Sequence, residues 1–112
     1  MAKYESRVHG DFNSLLNSID SEILRGSMSA SFEDGSDYHS GDFRCAVRVY
    51  ERYSMIGGNR VSMNVTLVGN NDELFITAIT SGGSQAVLFK INTLGEEAFL
   101  NCIVNVIDRF KG

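Results

Sequence analysis

The chain has no proline and no tryptophan, and only two cysteines and two histidines among 112 residues. Without proline, every reversal of direction has to be read from glycine, asparagine and aspartate. Two cysteines with apolar neighbours, and no secretion pattern ahead of them, exclude a disulfide scaffold and point to reduced thiols in the cytoplasm. No apolar run is long enough to cross a bilayer, so no membrane partner is expected. Neither His9 nor His39 has metal-ligand spacing or a cysteine nearby, so no metal and no cofactor is expected. A cationic excess is also missing. The net charge of −4 argues against general nucleic-acid affinity. Phosphate loops, dinucleotide fingerprints, nucleophile elbows and zinc spacings are all absent, so nothing marks the chain as an enzyme and no catalytic residue is assigned.

What is present is ordinary for one globular domain spanning residues 1–112. Hydrophobic residues make up 43% and charged residues 21% of the chain, enough for a single core without staples. The most informative stretch runs from Asp42 to Ile91 and reads as four consecutive strands. From Arg44 to Met55, Cys45, Val47, Val49, Tyr53 and Met55 alternate with Arg44, Ala46, Arg48, Tyr50 and Arg52. Period two with branched and aromatic residues is the strand signal. A three-residue turn, Ile56-Gly57-Gly58, then sets Tyr53 opposite Val61 and Val49 opposite Val65. Two-residue turns at Asn70-Asn71 and Gly82-Gly83 tolerate the left-handed backbone a tight hairpin needs. These registers predict one face of Val47, Val49, Val65, Leu67, Leu74, Ile76, Phe89 and Ile91. Glu51 falls on that apolar side beside Tyr53, Met63 and Ala78, where an unpaired carboxylate would be costly. The opposite face is predicted to carry Arg48, Tyr50, Arg52, Phe75, Ile79, Leu88 and Lys90.

The flanks complete the pattern. Lys3 to His9 reads as a strand. Asp11 is placed as an N-cap for a helix carrying Phe12, Leu15, Leu16, Ile19 and Ile23 at helical spacing, with Gly26 at its end. Met28, Ala30 and Phe32 alternate as a further strand, and Asp34 to Asp42 reads as a polar loop whose spacing does not match an EF-hand. Thr93 and Glu96 form a capping box, followed by an apolar stripe from Ala98 to Phe110 that should roof the sheet. The expected fold is α+β, a single curved antiparallel sheet of about six strands with two helices packed on one face, in the order β-α-β-β-β-β-β-α. The first strand is expected beside the last. This order resembles a miniature helix-grip fold of the kind seen in plant pollen-allergen and lipid-transfer domains.

At the level of residues, RCAVRVYERYSMIGGNRVSMNVTLVG and ITSGGSQAVLFKINTLGEEAFL resemble a family of small, uncharacterised bacterial proteins found among Gram-positive organisms. The resemblance implies a bacterial, cytosolic protein and no particular chemistry.

Two functional expectations follow from the faces. Tyr50, Phe75, Ile79 and Leu88 rimmed by Arg48, Arg52 and Lys90 have the composition of an interface, either a homodimer or a surface for another protein. The alternative is small-molecule binding between sheet and C-terminal helix, with Glu51, Tyr53, Met63 and Ala78 lining the open end. Arg44, Arg48, Arg52 and Tyr50 also match the make-up of a single-strand platform, but the acidic chain weighs against nucleic acid.

Overall fold

A computed structural model describes residues 1–26, 28–54, 59–82 and 89–110. Strand β1 (Ala2–His9) leads into helix α1 (Phe12–Gly26). Strands β2 (Ser31–Ser40), β3 (Phe43–Ser54), β4 (Asn59–Asn70) and β5 (Glu73–Gly82) follow, and helix α2 (Phe89–Asp108) closes the order. The strands form one five-stranded sheet in the order β1-β5-β4-β3-β2, antiparallel throughout. The first strand therefore lies beside the last, as the short central turns require.

Both helices sit on one face. Phe12, Leu15, Ile19 and Ile23 of α1 are buried against Phe99, Ile103, Val106 and Ile107 of α2 and against the sheet. The sheet contributes Val8, Val61, Met63, Val65, Leu67, Leu74, Ile76 and Ala78. Alternation explains the set: these residues repeat every second position along β4 and β5. Asp11 caps α1 as expected, accepting from the Ser14 amide at 2.9 Å and the Ser14 hydroxyl at 3.0 Å. Those two donors, the amide foremost, hold the Asp11 carboxyl below the usual carboxylate range. The corner between β1 and α1 is tied by Gly10 N–H donating to the Asp72 carbonyl, and His9 N–H donates to the Phe110 carbonyl.

Four expectations need correction. The sheet has five strands, and the sixth is not among the described residues. Phe89, Lys90 and Ile91 open α2; Gly82 of the expected Gly82-Gly83 turn is the last residue of β5, paired with Val61, while Gly83 and the expected strand stretch through Leu88 lie outside the described residues. Thr93 and Glu96 consequently lie inside α2 and not at its start. The polar stretch Asp34 to Asp42 is mostly strand: β2 takes it up to Ser40, and only Gly41 and Asp42 form the turn. An edge strand covered on neither face needs no apolar alternation, which is why its polar composition looked like a loop.

The fourth correction concerns β3. Tyr53 pairs with Arg60 and Ser54 with Asn59, so the connection is one residue longer than a three-residue turn. A slip of one residue sends every side chain of a strand to the other face. Arg44, Ala46, Arg48, Tyr50 and Arg52 therefore stand with Gly69, Leu67, Val65, Met63 and Val61 on the helix side. Cys45, Val47, Val49, Glu51 and Tyr53 stand on the open side. The β4–β5 turn is Asn71-Asp72, with Asn71 at φ 58°. It displaces the expected register by two residues and leaves the faces unchanged.

Gly69 of β4 lies against Phe12 of α1 and Leu74 of β5. A Cβ there would come within 2.8 Å of Leu74 Cδ2 and 2.9 Å of Phe12 Cδ2. Gly69→Ala is expected to lower the unfolding free energy by about 1–3 kcal/mol through overpacking, measured by urea denaturation. Asp11→Ala is expected to lower the urea midpoint at neutral pH. Because the folded carboxyl has the depressed pKa, its stabilisation is present above the unfolded value and is lost as pH falls through the folded one. The difference between the two proteins should therefore shrink on acidification below about pH 4.

Candidate functional site

The helix side of β3 is occupied by intramolecular contacts. The Arg44 guanidinium lies 4.2 Å from the Phe12 ring centroid and that of Arg52 4.7 Å from the centre of Phe99. Arg52 also donates to Cys102 Sγ at 3.4 Å. Arg48 pairs with Asp37 at 2.9 Å and donates to the Val47 carbonyl at 2.9 Å. Tyr50 is fully buried, and its hydroxyl donates to Asp20 of α1 at 2.8 Å. Burial, reinforced by the Asp20 carboxylate, raises the phenol above its ordinary pKa, so it remains a proton donor. Long arginine stems here cover the rim of the helix layer while their charged heads rest on aromatic faces. Tyr50 and Arg52 thus join sheet to helices, and Arg48 joins β3 to β2, all on the side opposite Phe75 and Ile79. Lys90 belongs to the first turn of α2, and Leu88 lies outside the described residues.

The four residues expected to line a pocket are also divided. Met63 and Ala78 are fully buried beneath the helices, and Glu51 and Tyr53 point to the open side. Glu51 accepts from Arg60 Nε at 2.9 Å. Beside this pair the Ser62 and Ser81 hydroxyls are 3.0 Å apart. A second carboxylate, Glu96, is the buried one: it pairs with the Met1 amino group at 2.9 Å and accepts from the Gly82 N–H. The capping-box spacing drew attention to Glu96, but nothing in the local sequence signalled its burial.

The open side of the sheet carries apolar side chains in two rows, with the polar row Glu5, Thr77, Thr66, Val47 and Ser36 between them. Reading across the strands from β1 to β2, one row is Arg7, Phe75, Val68, Cys45 and Tyr38. The next but one is Lys3, Ile79, Asn64, Val49 and Asp34. Tyr38, Phe43, Phe75 and Ile79 expose 63, 39, 37 and 39% of their surface, values unusual for four large apolar or aromatic side chains on one face. Tyr38 meets the Phe43 ring edge-on at 6.4 Å between centroids. Near the β4–β5 turn this face sinks into a trough of about 490 Å³, bounded by Phe43, Val68, Phe75, Arg7 and His9. The signal for this surface was in the sequence as odd-numbered apolar residues of β3, read there as core.

Among the described residues no group of three or more histidine, cysteine, aspartate or glutamate side chains could hold a metal ion. No helix among them is long and apolar enough to cross a membrane. The Glu51–Arg60 pair is a surface ion pair, with side-chain exposures of 36 and 51%, so screening leaves it little energy. Glu51→Gln is expected to change the unfolding free energy by less than about 1 kcal/mol, checked by urea denaturation at low and high salt.

No curated protein matches the chain. The family of unknown function DUF6054 matches it over residues 1–111, nearly every residue of the sheet and both helices. The chain belongs to that family.

Proposed function

We propose that the chain is a single-domain self-association module of the cytoplasm, pairing with a second copy of itself through the open face of the sheet. The observation that carries this reading is the row of side chains Phe75, Val68, Cys45 and Tyr38, uncovered from β5 to β2 while both helices lie on the other side. A one-layer sheet with helices on one face leaves its second face to water unless something covers it. Exposed aromatic and aliphatic side chains with arginine, lysine and acid beside them are the composition of a protein interface. Strands of about eight residues across five-strand width present roughly 600 Å² at ~4.8 Å between strands. That is close to the roughly 800 Å² per partner of a stable complex.

Several features suit this reading. Cys45 and Cys102 are free thiols, as a reducing compartment requires. The space between sheet and helices, where a ligand-binding reading would put its pocket, holds the buried core. The surface left for recognition is the outer one.

Phe75→Glu puts a charge at the centre of this face, on a side chain with no buried partner to lose. The variant is expected to sediment as a monomer at concentrations where the unaltered protein is a dimer, with its circular dichroism unchanged. A monomeric unaltered protein at high concentration overturns the reading.

A further inference from the structure

The open face is not symmetric, and its asymmetry selects one way of pairing two copies. Its most projecting side chain, Tyr38, stands on β2 at one edge of the sheet. A hollow of the same face, the trough bounded by Phe43, Val68, Phe75 and Arg7, reaches β1 at the other edge. Knob and hollow share a row, because Tyr38 pairs with Cys45, Cys45 with Val68, Val68 with Phe75 and Phe75 with Arg7. Charge follows the same division. The outward charges of β1 are Lys3, Glu5 and Arg7, with Lys3 Nζ 3.9 Å from Glu5 and a cationic balance, while the outward charge of β2 is Asp34, two rows along and level with Lys3.

We infer that two copies pack face to face about a twofold axis that runs parallel to the strands and passes over β4, the middle strand. This inference rests on the proposed self-association and adds its geometry. Such an axis keeps each row at its own level and exchanges left for right. It lays β2 of one copy over β1 of the other, so Tyr38 of each enters the trough of its mate, with the Arg7 guanidinium beside the phenol ring. It sets Asp34 opposite Lys3 twice over, and it brings Ile79 over Val49. The trough extends from Arg7 to His9 and accepts Tyr38 over that range. The other twofold in the plane of the face runs across the strands. It would stack β1 on β1 and β2 on β2, setting Tyr38 against Tyr38 with both troughs unfilled.

Three variants decide between them by analytical ultracentrifugation at low salt, each first checked for an unaltered urea midpoint. Tyr38→Ala is expected to weaken dimerisation at least about tenfold. Lys3→Glu and Asp34→Lys are each expected to weaken it, and the double variant is expected to recover most of the loss. A dimer that Lys3→Glu strengthens, or whose two charge reversals do not compensate, overturns the strand-parallel axis while leaving self-association standing. A dimer indifferent to Tyr38→Ala overturns the knob-and-trough contact. An unaltered protein that stays monomeric overturns both the geometry and the reading beneath it.

Discussion

Two guanidinium groups decide how this sheet meets its helices. Arg44 lies on Phe12 of the first helix and Arg52 on Phe99 of the second. Both belong to β3, eight residues apart, so both point the same way. With Tyr50 bonded to Asp20 between them, they commit the even-numbered residues of β3 to the helix side. Everything else about the protein's surface follows from that commitment. Arginines that would otherwise have rimmed an outer patch become the edge of the core. Valines that would otherwise have filled the core become the open face.

Much of this architecture is legible in the amino-acid order. The cap at Asp11 and the stripe of Phe12, Leu15, Ile19 and Ile23 specify α1 from local chemistry alone. The inward residues of β4 and β5 follow from period two, because both strands lie under the helices, where alternation is cleanest. The stripe through Phe99, Ile103 and Ile107 likewise identifies the roof. These are the elements whose burial is one-sided and deep.

The rest was hidden for identifiable physical reasons. β3 lies at the margin of the helix layer, and there both faces tolerate apolar residues. Its inward side is completed by arginine stems, so hydrophobicity alone ranks the wrong face first. The glycines after Ile56 fix a reversal but not its length to within one residue, and one residue is the difference between core and surface. β2 gives no alternation because neither of its faces is covered. The candidate surface inherits the β3 difficulty: Phe75 and Ile79 are found where their strand predicts, while Cys45, Val47 and Val49 are not.

The first edge of the sheet, β2, carries a register irregularity between Phe32 and Asp34, an acid at Asp34, and Asp37 drawn toward Arg48. A bulged, acid-bearing margin is a poor template for another strand. Lateral growth of the sheet, the route by which exposed strands seed fibrils, is thereby discouraged at that end. At this border the backbone's unpaired hydrogen-bonding groups are screened by the chain's own acids and its irregular register, so the strand edge is guarded although the sheet's flat side is not.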